Sequence, residues 1–194
     1  MDKNINQARV VFYDFFAGVF LRNLLSGREE VIKKQLQALG STPLDDYTQK
    51  SFQILQTQLE QDGIKNLMHE YDEVFEVPLS GEVVFPYISH YKNGCLNGEI
   101  LVDIRQAVKA LPIRANSEIF KETEDHLGFL FLMMRYCIEE GKYEENEKEI
   151  FSFYINPYVS KFIADIIENS KSNLYKEIAL ILKSFMEFEA SYVK

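Results

Sequence analysis

The sequence has few residues that break helices and few basic residues. Its 194 residues include nine glycines and five prolines, which is sparse for a β-sandwich and typical of an all-helical fold. The formal net charge is −9, and no cluster of lysine or arginine occurs beyond Lys33 and Lys34. A duplex nucleic acid requires a basic face on its partner. The composition therefore argues against nucleic-acid binding and favours a cationic partner.

Cysteines and long apolar runs are also scarce. Cys95 and Cys137 share no motif spacing, which predicts two unpaired thiols in a reducing compartment. The longest apolar stretch, residues 127–138, is too short to cross a bilayer, because a spanning helix needs roughly 20 residues. The N-terminal apolar run is interrupted by Asp14 and lacks the features of a signal peptide. We expect a cytoplasmic protein that does not insert stably into membranes.

The common enzyme signatures are missing. The sequence has neither a phosphate-binding glycine loop nor a G-x-S-x-G elbow. The three histidines, His69, His90 and His126, are widely separated, and no pair of histidines or cysteines has zinc spacing. We therefore expect no catalytic residues, no bound metal and no cofactor.

Helical periodicity is present along most of the chain. The length fits a single domain over residues 1–194, and the 46% content of hydrophobic residues is enough for a substantial core. We expect Ser26 to cap the second helix and Thr42 the third. Residues 127–138 are apolar nearly all round, which predicts a central helix at about 123–140, surrounded by others. The positions of glycines, prolines and capping residues predict helices over about 4–25, 26–40, 42–62, 64–75, 98–111, 116–140, 147–169 and 172–193.

One irregular region interrupts this pattern. Glycines and prolines cluster between Glu76 and Asn97, which predicts a long loop of the kind that is often functional. Residues 83–85 favour a brief strand within it. Aromatic side chains surround the loop, and each alone is expected to be a core or anchoring residue. Together they could line a groove for a peptide; they are Tyr71, Phe75, Phe85, Tyr87 and Tyr91.

An acidic segment with one histidine precedes the apolar stretch: Glu122, Glu124, Asp125 and His126. One interpretation is structural, since acids in the first turn of a helix complement its dipole, with Thr123 or Glu122 as the cap. This explains one or two carboxylates but does not require three. Because like charges repel, the alternative is a binding site for a cationic partner.

Four short motifs resemble a known family. Residues 122–127, ETEDHL, resemble the E-P-x-D-H-L signature of the TorD/DmsD-type chaperones, which serve molybdenum enzymes. Residues 71–75 resemble the family's Y-x-x-L-F segment, and residues 89–91 with the glycines that follow resemble its S-V-Y loop. Residues 151–162 are similar to its F-x-x-H-L-x-P-W-x-x-x-F helix, although Tyr154 and Tyr158 replace the usual His and Trp. Thr123 replaces the family's proline.

The resemblance implies an all-α, TorD-like helical bundle, either monomeric or a domain-swapped homodimer. It also implies a non-catalytic, cytoplasmic chaperone that binds the N-terminal twin-arginine signal of a molybdoenzyme catalytic subunit until the cofactor is inserted. The acidic segment would take the arginines of the signal, and Tyr71, Phe75, Tyr87, Ser89 and Tyr91 would form the adjoining surface. Two alternatives stay open, a nucleotide-hydrolysing enzyme that holds Mg²⁺ on the acidic segment and a helical adaptor of unrelated role.

Overall fold

A computed structural model describes residues 3–77, 82–116, 118–169 and 171–193. This part of the chain contains no strand, and Tyr87 and His126 form an isolated β-bridge. The predicted all-α class is therefore confirmed. In chain order the helices are α1 (Lys3–Phe20), α2 (Arg22–Leu25), α3 (Glu29–Gly40), α4 (Asp46–Asp62), α5 (Ile64–Phe75), α6 (Ile88–Asn93), α7 (Ile100–Ala110), α8 (Leu127–Glu140), α9 (Glu144–Glu149), the π-helix π1 (Ile150–Ile155), α10 (Asn156–Asn169) and α11 (Asn173–Tyr192).

Helices α1 and α8 form the centre of the bundle and pack along each other. Both bury side chains on nearly every face, which agrees with the all-round apolar pattern of residues 127–138. Gly128 allows this close packing, because a Cβ there would lie 2.7 Å from Cγ of Leu21. The predicted central helix is confirmed, but its start at residue 123 is wrong. The helix begins at Leu127, after a turn.

A buried ion cluster joins the two ends of the described chain. The guanidinium of Arg9 donates to Glu147 Oε1 at 2.6 Å and to Glu189 Oε1 at 2.6 Å, and the Tyr13 hydroxyl donates to Glu189 Oε2 at 2.7 Å. All four side chains are buried. Burial raises the pKa of Glu147, the Arg9 guanidinium acts in the opposite direction, and the charge of Glu189 adds a smaller rise. Since the cluster ties α1 to α9 and α11, we propose that residues 1–194 fold as one domain.

Asp14, which interrupts the N-terminal apolar run, binds polar groups from two other helices and a turn. Its carboxylate accepts hydrogen bonds from Gln35 of α3 at 2.6 Å, from Arg135 of α8 at 2.8 Å and from Arg28. A partly buried carboxylate is tolerated when it is paired in this way. The acidic residue therefore joins α1 to its neighbours.

Several predicted helix starts are wrong. The first helix breaks at Leu21, whose backbone is extended with φ −108° and ψ 109°. Helix α3 begins after Arg28 rather than after Ser26. Helix α4 begins after Asp45 rather than after Thr42, because Asp45 and Thr48 form a reciprocal capping box. The predicted bounds of α5 are confirmed.

The predicted loop over residues 76–97 is wrong in part. Ile88–Asn93 form α6, which ends at Gly94 in the left-handed conformation with φ +71°. Residues 83–85 form no strand, although the Val84 amide donates to the Val74 carbonyl at 3.0 Å. Pro78 and Gly81, which contributed to the prediction, lie outside the described residues.

The helices predicted over 116–140 and 147–169 also differ from the structure. Residues 118–126 are not helical, so the helix predicted over 116–140 is wrong over its first part. The interruption predicted at Pro157 is instead a wide turn just before it, π1, which continues directly into α10. Proline has no N–H to donate to the carbonyl four residues back, and we attribute the widened turn to this missing bond.

Candidate functional site

The segment before α8 folds back on α6. The Asp125 carboxylate accepts the Ser89 amide at 3.0 Å and the Thr123 hydroxyl at 2.5 Å, and the Asp125 carbonyl accepts the Ile88 amide at 3.0 Å. These amides belong to the first turn of α6, where backbone N–H groups have no helical acceptor. Asp125 is fully buried. It therefore fastens α6 to the entrance of α8.

His126 is the N-cap of α8. Its Nδ1 accepts the Gly128 amide at 3.0 Å, so the predicted cap at Thr123 or Glu122 is wrong. Burial lowers the pKa of His126 to about 3, although the neighbouring Asp125 acts in the opposite direction. A neutral ring whose Nδ1 accepts a hydrogen bond carries its proton on Nε2. The imidazole is thus an uncharged structural group.

The other two acids of the segment lie nearer the surface. Glu122 is exposed and accepts a hydrogen bond from the Tyr87 hydroxyl. The ring of Tyr87 in turn packs edge-on against His126, with centroids 5.0 Å apart. Glu124 pairs with Arg105 of α7 at 2.9 Å. The three carboxylates therefore differ in their surroundings. Asp125 is buried, Glu124 is ion-paired, and Glu122 is exposed and hydrogen-bonded to Tyr87.

The predicted aromatic residues separate into two groups. Tyr71 and Phe75 are core residues, with ring centroids 4.9 Å apart, and the Tyr71 hydroxyl donates to the Phe20 carbonyl at 3.3 Å. Tyr87 and Tyr91 are half-buried, and the Tyr91 hydroxyl donates to Asp165 at 3.0 Å. The structure thus brings Tyr87 to the acidic segment, whereas Tyr91 faces α10.

Ser89 is fully buried beside Asp125. Its hydroxyl oxygen forms no hydrogen bond within the described part of the chain. Its backbone amide, rather than its side chain, is what holds it to the acidic segment. Ser89 therefore lies under the surface of the site and does not reach a ligand there.

Sequence reasoning missed an ion pair beside Tyr71. Arg22 of α2 pairs with Asp72 of α5 at 2.6 Å, and its guanidinium lies 5.9 Å from the centre of the Tyr71 ring. The charges of Glu122 and Glu76 both contribute to the raised pKa of Tyr71, after the larger effect of burial. The charges of Glu76 and Glu122 therefore act on Tyr71, next to the pair of Arg22 and Asp72, and we call Asp72, Glu76, Glu122 and Arg22 the acidic face.

Exposed apolar side chains adjoin the acidic face. Val77, which follows Glu76, is 71% exposed, and Ile119 is 65% exposed. The Ile119 carbonyl accepts a hydrogen bond from Nδ2 of the Asn23 side chain at 3.3 Å, which places Ile119 beside α2. The i, i+4 spacing of Asp72 and Glu76 is a sequence signal that would have found part of this face.

The described residues contain no group of three or more His, Cys, Asp or Glu arranged to hold a metal ion. Among the described helices, none is long and apolar enough to cross a bilayer.

Comparison with known protein families gives a match. The sequence model of the family described as "Nitrate reductase delta subunit" matches residues 41–164, more than half of the chain. The matched span runs from just before α4 into α10, and it includes every residue of the predicted site and of the acidic face except Arg22. No curated protein matches the chain.

Proposed function

Because the chain belongs to the nitrate reductase delta subunit family, a family of redox-enzyme maturation chaperones that bind molybdoenzyme catalytic subunits, we propose that it binds the N-terminal twin-arginine signal of such a subunit at its acidic face. Binding takes place in the cytoplasm and holds the subunit back from export during its maturation. The general chaperone role follows from the family, and the family is not catalytic. The signal as ligand and the acidic face as its site are our proposal.

The charge of the acidic face supports this ligand. Asp72 pairs with the guanidinium of Arg22, the charge of Glu76 also acts on Arg22, and the charge of Glu122 acts on Tyr71, whose ring lies beside that guanidinium. A twin-arginine signal brings two guanidiniums, and each charge-assisted hydrogen bond contributes about 1.5–3 kcal/mol. The exposed Val77 and Ile119 offer apolar area to the stretch that follows the arginines, at about 25 cal/mol per Å² before ordering costs.

The ion pair between Arg22 and Asp72 does not block the face. The two side chains are 31% and 40% exposed. Exposed pairs of this kind contribute about 0–1 kcal/mol to stability. An incoming guanidinium can therefore replace Arg22 on Asp72 at little cost.

One observation carries the proposal: Glu122 is exposed, but it is held by Tyr87, which packs on the buried His126. A preorganised carboxylate loses less side-chain entropy on binding. Asp125, His126 and Ser89 are too deeply buried to touch a ligand at the surface. We therefore assign them a positioning role and assign direct contact to Glu122 and Tyr87.

The Mg²⁺-dependent enzyme alternative receives no support from this geometry. A Mg²⁺ site needs oxygen ligands that converge on one point. Asp125 is turned inward to α6, Glu124 is paired with Arg105 and Glu122 is bonded to Tyr87. The oligomeric state, monomer or domain-swapped homodimer, stays a prediction.

Peptide binding tests the proposal. We expect Glu122→Gln to weaken binding of a fluorescein-labelled peptide, two arginines followed by an apolar stretch, by roughly tenfold or more in fluorescence anisotropy. A peptide with lysines in place of the arginines should also bind more weakly, because lysine lacks the bidentate fork. The matched control is Glu60→Gln, which removes an exposed charge from α4, away from the acidic face. Equal affinity for wild type and Glu122→Gln would contradict the assignment.

The client itself is identified by purification from the cell in which the chain is native. A tagged wild-type chain is expected to co-purify with a molybdoenzyme catalytic subunit. Changing the arginine pair of that subunit's signal to lysines should reduce its recovery. Recovery that is independent of the signal would show that the client is bound elsewhere.

A further inference from the structure

Apart from the acidic face, a cavity of about 340 Å³ lies between α6, the start of α7 and π1, and we call it the second cavity. None of the residues predicted for the signal site lines it. Its charged and aromatic lining comprises Lys92, Glu99, Asp103, Phe153, Tyr154 and Tyr158.

The π-helix shapes one wall of this cavity. Ile150, Phe151 and Ile155 of π1 are buried, whereas Phe153 between them is 66% exposed. Single π turns inside helices are rare and are frequently found at functional sites. An apolar ligand group therefore has contact surface on Phe153 at the opening.

The charges of the cavity favour a cation. Glu99 and Asp103 are exposed, lie four residues apart at the start of α7, and pair with no basic side chain in the described part of the chain. The negative charge of Asp103 contributes to the raised pKa of Tyr154, after burial and Glu149. The ammonium of Lys92 already lies 6.0 Å from the centre of the Tyr158 ring. The aromatic wall is thus within reach of a cation, and two carboxylates stand beside it.

We propose that this cavity binds an arginine side chain of the client polypeptide, with a neighbouring apolar side chain on Phe153. The inference rests on the proposed function in that the polypeptide is the client subunit, but the site is separate from the acidic face. A planar guanidinium stacks on tyrosine rings and pairs with a carboxylate through two N–H groups, which an ammonium cannot do. The chaperone then holds its client at two points, and binding at two linked points raises the overall affinity above that of either.

The test is a titration of the ¹⁵N-labelled full chain, followed by NMR, with a short synthetic peptide that has one arginine between two leucines. We expect saturable shifts at residues of α7 and π1, and about tenfold weaker binding by Asp103→Asn because the charge-assisted pairing is lost. Phe153→Ser should weaken binding roughly two- to fivefold. The matched control is Asp46→Asn, since Asp46 is likewise exposed in the first turn of its helix.

The outcomes separate this inference from the proposed function. If Glu122→Gln weakens binding of the single-arginine peptide and Asp103→Asn does not, the peptide uses the acidic face and the second site is refuted. If Asp103→Asn alone weakens binding of the single-arginine peptide, the second site stands, whether or not the twin-arginine peptide depends on Glu122. Equal binding of the arginine and lysine peptides, or equal binding of free N-acetyl-arginine amide and the peptide, would overturn the assignment to an arginine within an apolar segment.

Discussion

The buried His126 should make this protein sensitive to mildly acidic pH. Its pKa in the folded chain is about 3, below the value of about 6.5 expected in the unfolded chain. Between these two values the unfolded chain binds a proton that the folded chain does not bind. The free energy of unfolding is therefore highest above about pH 6.5 and falls as the pH decreases toward 3.

The size of the effect follows from the shift. Each pH unit below about 6.5 removes about 1.4 kcal/mol of stability, so that about 3 kcal/mol is lost near pH 4.5. This is a large part of the 5–15 kcal/mol by which domains are typically stable. Protonation of Nδ1 would also break its hydrogen bond with the Gly128 amide and uncap α8.

The assay compares wild type with His126→Asn by urea unfolding, from about pH 7.5 to about pH 4.5. Asparagine is among the best N-cap residues and its amide oxygen can accept the Gly128 amide, but it does not titrate in this range. Far-UV circular dichroism is a suitable probe, because the chain has no tryptophan. We expect wild type to lose about 1.4 kcal/mol per pH unit relative to the variant.

Subtracting the free energy of unfolding of one protein from that of the other removes the contributions of the other titrating groups, which both proteins share. Glu147, for example, has a raised pKa and acts in the opposite direction, since its stabilising effect is lost as the pH rises through that value. If the two proteins lose stability in parallel as the pH falls, His126 is not held neutral by burial and the reasoning is refuted.

Two further predictions concern the core. Arg9→Met leaves Glu147 and Glu189 buried without their cation and should lower the free energy of unfolding, measured in urea, by about 3–5 kcal/mol. The control Arg22→Met breaks an exposed pair and should lower it by less than about 1 kcal/mol. Similar losses in both variants would contradict the role of burial. Cys137 is buried and its thiol has a pKa raised to about 12, whereas Cys95 is exposed. In native protein a disulfide reagent should therefore modify Cys95 quickly and Cys137 only after urea is added; equal rates at both thiols would show that α8 opens readily.

The helical fold could be predicted because the pattern of apolar residues is local. The central helix followed from a stretch that is apolar on all sides, and the end of α4 followed from Gly63, which has φ +67°. The start of α8 was predicted too early. The acids at 122–125 were placed in its first turn because acids favour that position, and this preference takes no account of contacts with other helices. In the structure, Asp125 binds the amide of Ser89 on another helix, and this tertiary contact holds it outside α8.

Helix α6 was missed for a different reason. It has six residues, which is too short for a helical period to be visible, and it is framed by Pro86 and Gly94, which favour loops. Its first turn depends on Asp125, far away in the sequence. A short helix that is stabilised by tertiary contacts cannot be inferred from its own residues.

For the candidate site, the motif located the segment but not the depth of each side chain. Adjacent residues in a turn can point to opposite sides, so the sequence could not show that Asp125 is buried while Glu122 is exposed. The ion pair between Arg22 and Asp72 joins residues that are 50 positions apart. It depends on how α2 packs against α5, which the residue pattern of neither helix shows.

The burial of Asp125 changes how its variants should be interpreted. Loss of binding in an Asp125 variant does not identify a ligand contact, because the side chain holds the first turn of α6. Helix α6 also carries Lys92, which lines the second cavity. Loosening α6 would therefore disturb both proposed sites together, whereas Glu122→Gln acts on the acidic face alone. Binding by an Asp125 variant can therefore be interpreted only together with the free energy of unfolding of that variant. At Glu122, by contrast, loss of a ligand contact can be distinguished from loss of structural support.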